Sequence, residues 1–112
     1  MDNLETLVEN YLEYCSTQKC LDQKTLKAYR IDLRQFSEQT FPHEVTEITS
    51  KTLEDYIAKL HQQYEPKTVK RKIASLKALF HHLEYKEIIN RNPFNKIQVR
   101  FREPVILSLI HI

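Results

Sequence analysis

The sequence predicts an all-α domain, a compact four-helix unit with an extended C-terminal strap, and three observations carry that reading. Apolar residues recur at three- and four-residue spacings in four successive segments, which is one buried stripe per helix. Glycine is absent and proline occurs only 4 times, which leaves little material for primed hairpin turns or for loops that cradle phosphate. Hydrophobic residues make up 41% of the 112, enough for one core in a chain whose length allows a single domain.

The first helix is expected from Asp2 to about Gln18, where Leu4, Leu7, Val8, Tyr11, Leu12 and Cys15 form one stripe. The second is expected from about Asp22 to Thr40 on Leu26, Tyr29, Leu33 and Phe36, with Asp22 as its N-cap. Pro42 ends it, and a connector through Val45 and Ile48 leads to Thr49 and Ser50, either of which suits the N-cap of a third helix over Lys51 to about Gln62. Its stripe is Leu53, Tyr56, Ile57 and Leu60, with Glu54 and Asp55 in the first turn where the helix dipole favours negative charge. The fourth helix opens on Pro66 and carries Val69, Ile73, Leu76, Phe80 and Leu83. From Glu87 the pattern turns irregular, Pro93 holds Asn92 out of helical geometry, and residues from about 95 onward read as an extended strap.

Overall charge is uninformative at +2, but its distribution is not. Residues 1–18 carry −4, residues 19–37 carry +3, residues 38–65 carry −4 and residues 66–83 carry +5. Helices two and four are therefore basic, and one and three acidic. On the fourth helix, with the apolar stripe at 0°, Lys70 and Lys77 fall at about 80–100°, Lys67 at about 160° and Arg71 at about 200°, with small Ala74, Ser75 and Ala78 among them. Cations separated by small side chains allow a helix to approach duplex DNA closely. The second helix is similar, with Lys24, Lys27 and Arg34 opposite its stripe and Arg30 at the margin.

No catalytic or metal constellation is apparent. Cys15 lies on an apolar stripe as a small buried hydrophobe, and Cys20 stands in a loop with no second pair or His set at ligand spacing, so a reducing cytoplasm is expected. His81 and His82 are adjacent, a poor arrangement for one metal, and no cofactor or small-molecule substrate is expected. Tyr11, Tyr29 and Tyr56 occupy stripe positions as core residues with a wet hydroxyl; Tyr14, Tyr64 and Tyr85 fit a surface or a helix end. The acidic start lacks a signal-peptide pattern and no apolar run reaches about 18 residues, so neither secretion nor a membrane span is expected.

In order along the chain stand Thr25-x-x-x-Tyr29-x-x-Asp32-Leu33-x-x-Phe36, then Ile48-Thr49, then Lys67-Thr68-Val69-x-Arg71-x-Ile73-x-x-Leu76-x-x-Leu79-Phe80, then Asn92-Pro93. This ordered set resembles the N-terminal core-binding domain of tyrosine recombinases, a SAM-like four-helix module of phage integrases and Xer-type enzymes. The resemblance implies half of a C-shaped clamp on double-stranded DNA, with helices two and four facing the major groove. On matching positions it implies Thr25, Lys27 and Arg30, and Lys67, Thr68, Lys70, Arg71 and Lys77, as contacts to phosphate or base edges. It further implies that strand cleavage belongs to a separate C-terminal domain absent from this chain, that no tyrosine here is the nucleophile, and that the full-length parent acts as a tetramer at synapsis. One departure stands out: the family's glycine after the fourth helix is replaced by Tyr85-Lys86-Glu87, so the helix is expected to run on or to end in a strained turn.

The expected organisation is a core-binding domain over 1–98, a linker over 99–106 and a final segment, 107–112, set apart. Leu107-Ser108-Leu109-Ile110-His111-Ile112 matches an in-frame translation of the transposon end used to tag sequencing libraries, and reads as a scar at an assembly edge. Two other functions fit the residues: a helix-turn-helix regulator built across Gln63-Tyr64-Glu65, and a helical protein-interaction domain using the acidic helices.

Overall fold

The computed structural model describes residues 3–40 and 44–97. Pro42, His43, the 99–106 linker and the 107–112 segment lie outside the described residues. Among the described residues four helices form the all-α architecture that the periodicity predicts: α1 Leu4–Thr17, α2 Gln23–Gln39, α3 Ser50–Gln63 and α4 Pro66–Tyr85. Short 3-10 turns at Val45–Glu47 and Pro93–Lys96 were not legible in the apolar spacing. The second of these removes residues 95 and 96 from the expected strap. Its cause is local: the Asn92 side chain accepts the Phe94 N–H at 2.9 Å, curling the chain so that Phe94 enters the core.

Helices α1, α2 and α3 each begin on a side-chain cap, and α4 begins on a proline. Asn3 Oδ1 accepts the Glu5 N–H at 2.8 Å, and Asp22 Oδ1 accepts the Thr25 N–H at 2.8 Å, as expected for α2. The backbone N–H of Thr25, and then its hydroxyl, hold the Asp22 carboxyl below its usual range. Of the two candidates before α3, Thr49 is the cap. Its hydroxyl accepts the Thr52 N–H at 3.3 Å while its own N–H donates to Thr52 Oγ1 at 3.3 Å, a reciprocal box. In α4, Pro66 supplies the first residue, where a missing N–H costs nothing.

The expected strained ending of α4 is present. Glu87 takes φ +62°, the left-handed region that glycine ordinarily fills. Around it the Ile88 N–H donates to the Leu83 carbonyl at 2.9 Å and the Glu87 N–H to the Glu84 carbonyl at 3.0 Å, the bond pair of a Schellman turn.

The core is a single cluster fed by all four helices. Phe36 of α2 is its hub, edge-on to Tyr56 of α3 at 5.1 Å and to Phe80 of α4 at 6.0 Å. Phe80 in turn meets Phe94 at 5.7 Å. Contributions are uneven: α4 buries Val69, Ile73, Leu76, Leu79, Phe80 and Leu83, whereas the only apolar side chains α2 fully buries are Leu33 and Phe36. Leu26 and Tyr29, expected in the α2 stripe, are half-buried against the cluster. Tyr11 and Tyr56 are core residues, but the Tyr56 hydroxyl is buried rather than wet, with no hydrogen-bond partner among the described residues.

Candidate nucleic-acid interface

Helices α2 and α4 pack side by side, and charge rather than grease fills part of their seam. Asp32 of α2 is 1% exposed. Its carboxylate accepts four hydrogen bonds from α4: Arg71 Nη2 at 2.8 Å and Lys72 Nζ at 3.0 Å on Oδ1, with Arg71 Nε at 3.2 Å and Ser75 Oγ at 3.0 Å on Oδ2. Lys72, itself buried, also donates to Gln35 Oε1 at 2.7 Å and lies 4.9 Å from the centre of the Tyr64 ring. Gln35 Nε2 donates to the Tyr64 hydroxyl at 3.0 Å, so the end of α3 is tied to the same cluster. A buried carboxylate with this many donors is fully satisfied, which is the condition for tolerating it in a core.

Asp32 falls within the ordered motif and Lys72 within the run of cations, and neither pattern pairs the two. A usable signal was present. Asp32 stands three residues after Tyr29 and four before Phe36, and Lys72 stands three after Val69 and four before Leu76. Each charge is therefore in phase with an apolar stripe, and two opposite charges so placed on neighbouring helices are candidates for a buried pair.

Lys67, Lys70, Arg71 and Lys77 are exposed on α4, interleaved with exposed Ala74 and half-buried Ala78. On α2, Lys24, Lys27 and Ile31 share the exposed face, and Ile31 is 51% exposed. These residues make a basic surface that also carries the apolar Ile31 side chain. Thr25 and Thr68 are half-buried, each seven residues before Asp32 and Ser75 respectively, which puts them two turns away along the same seam.

Arg30 sits differently. It is exposed but lies on the α1 flank of α2, one turn before Arg34, whose guanidinium grips Glu9 of α1 at 2.8 and 2.9 Å. The Arg34 hydrogen bond, with the charges of Arg34 and Arg30 adding to it, holds the Glu9 carboxyl below its ordinary value. Arg30 is thus close enough to Glu9 for its charge to act on that carboxyl.

At the C-terminal end of α4 the basic surface borders an aromatic-lined cleft of about 480 Å³ between Tyr11, Tyr14, Lys19, Lys77, His81 and Tyr85. His82 closes its floor, 4.8 Å from the Tyr11 ring and 4.5 Å from that of Tyr14. Burial, and then the nearby Lys86 and Lys19, push this imidazole below its usual pKa. Among the described residues no helix is long and apolar enough to cross a membrane.

A family model, the phage integrase N-terminal SAM-like domain, matches residues 8–87. A tyrosine recombinase of Agathobacter rectalis is 61% identical over 107 residues, covering 96% of this chain and 35% of the relative. A tyrosine recombinase of Pseudothermotoga lettingae is 29% identical over 112 residues, with 93% and 39% covered. The tyrosine recombinase XerC of Oceanobacillus iheyensis is 27% identical over 103 residues, with 88% and 34% covered. The chain spans little more than a third of the length of these relatives. No solved structure matches it. The matched region takes in α2, α3 and α4 whole and most of α1, and the fold is the all-α one that such a domain requires; the chain belongs to the phage integrase N-terminal SAM-like domain family.

Proposed function

We propose that this chain is the DNA-gripping module of a site-specific tyrosine recombinase, serving DNA integration or recombination. One observation carries the reading: the exposed cations of α2 and α4 lie on neighbouring helices, while α1 and α3 present the acids. A duplex laid across α2 and α4 meets Lys24 and Lys27 on one side and Lys67, Lys70 and Lys77 on the other. Those long side chains take phosphates and set the register of the helix pair on DNA. Thr25 and Thr68 add short hydroxyl contacts, and Arg30 engages a phosphate on the α1 side.

In this reading residues 1–98 form the binding domain and 99–106 lead to a catalytic domain that performs strand cleavage in the whole protein, which assembles as a tetramer on its DNA sites in the cytoplasm. The part in hand contributes grip and orientation, not chemistry.

The test is duplex binding by the 112-residue chain as a function of salt. With about five cations on phosphates, log affinity falls against log salt with a slope of about −4 to −5. Charge reversal at Lys67 and Lys77 weakens binding more than reversal at Lys51 and Lys59 on α3. A flat salt response refutes the reading, and equal effects of the two reversals refute the assigned face.

A further inference from the structure

The basic surface contains one cation unlike the rest. Asp32 holds Arg71 by one edge of its guanidinium, engaging the Nε proton and one Nη2 proton. The Arg71 side chain is nonetheless 50% exposed, and the end-on edge, formed by Nη1 and the second Nη2 proton, is not engaged by Asp32. Lys72 meets the same carboxylate from inside. One acid and two bases leave the trio with a net positive charge, and because Lys72 is buried, that excess is presented to solvent at Arg71.

Resting on the DNA-binding reading, we propose that Arg71 reads a base edge, a guanine in the major groove, and that Asp32 is the positioning residue that fixes it for the task. A phosphate contact asks only for positive charge within reach, which flexible lysines supply. Reading a base asks for donors in a fixed plane, and the end-on fork of an arginine matches the O6 and N7 acceptors of guanine. An arginine already held by a buried carboxylate loses little further freedom on binding. Ala74, exposed one turn further along α4, leaves room for the groove edge to approach. Stability alone does not call for this cluster, since buried ion pairs are often no better than apolar residues of similar volume.

The experiment selects bound sequences from a pool of randomised duplexes, using the 112-residue chain at low salt, and compares wild type with Arg71→Lys, Arg71→Ala and Asp32→Asn. Arg71→Lys keeps a cation beside Asp32, and circular dichroism verifies the fold of all three variants before selection. Wild type is expected to enrich guanine at one position. Arg71→Lys keeps the charge but loses the preference, with affinity for the enriched duplex falling roughly 5- to 140-fold, the worth of a bidentate base contact. Its affinity for duplex of unrelated sequence stays within about twofold, since the phosphate-borne charge is unchanged. Folded Asp32→Asn loses the same preference, and with it the argument for a merely structural carboxylate. Retention of the guanine preference in Arg71→Lys or Arg71→Ala, or wild-type binding with no base preference, overturns the proposal and leaves the DNA-binding reading standing. Absence of any duplex binding by wild type overturns both.

Discussion

Replacing Asp32 by Asn tests the energetics of the α2–α4 seam most directly. The substitution keeps the shape and removes the charge, leaving the buried Lys72 ammonium, 5% exposed as a side chain, facing a neutral amide. Breaking a buried ion pair from one side costs about 3–5 kcal/mol, because the surviving charge is left in a medium that solvates it poorly. Lys72→Met breaks the same pair from the other side with a different result. Asp32 then keeps two bonds from Arg71 and one from Ser75, so no bare buried charge remains. The loss is confined to the bonds to Asp32 and Gln35 and the Tyr64 ring contact, about 1–2 kcal/mol. In urea unfolding followed by circular dichroism, with a slope of about 1.5 kcal/mol/M, the midpoint falls by about 2–3 M for Asp32→Asn and by about 1 M for Lys72→Met. The double variant costs less than the two added together, by about 1 kcal/mol or more. Equal losses from the two single variants, or a loss below about 1 kcal/mol for Asp32→Asn, would falsify the shared-carboxylate account.

Two further outcomes are expected. At Glu87, whose φ of +62° carries a steric cost for any side chain with a Cβ, Glu87→Gly raises stability by up to about 1 kcal/mol and Glu87→Val lowers it by about 1–2 kcal/mol, read as opposite shifts in Tm; shifts of the same sign for both would show that the Schellman turn is not the controlling feature. Acidification destabilises the fold through His82: its folded pKa lies below the ordinary 6.5, so the unfolded chain takes up the proton first, and stability held above 6.5 is lost as pH falls through the lowered folded value. Glu9, with its pKa depressed from 4.5 by Arg34, extends the loss in the same direction at lower pH. A Tm unchanged from pH 7 to 5.5, or the same slope in His82→Gln, would count against this assignment.

Much of this molecule was open to sequence reasoning because helices announce themselves by phase and by their ends. Asp22 and Pro66 marked the starts of α2 and α4 correctly, since caps depend on residues within one turn. Thr49 and Ser50 were indistinguishable as caps until Thr52 was seen to answer Thr49, a choice settled by side-chain geometry. The strained end at Glu87 was legible for a different reason: where the chain must reverse and glycine is absent, some other residue must accept a positive φ. What periodicity does not encode is which neighbour an outward or inward side chain meets. Arg30 and Lys27 stand only three residues apart on the same basic helix and both are exposed, yet it is Arg30 whose charge acts on Glu9 of α1. The pairing of Asp32 with Arg71 and Lys72 likewise depends on how α2 docks on α4, which is a property of the assembled core rather than of either helix.

The closing turn at Pro93–Lys96 has a consequence for how the chain acquires its fold during synthesis. Ser50, the first residue of α3, donates its hydroxyl to the Pro93 carbonyl at 2.9 Å across 43 residues of sequence, and Phe94 packs edge-on against Phe80. At about 5–20 residues per second, α3 waits about 2–9 s for the segment that anchors its start. The α1–α2 pair, adjacent in sequence, can associate long before then. In that interval the aromatic heart of the domain lacks one wall, so its apolar surface is more exposed on the nascent chain than on the finished domain.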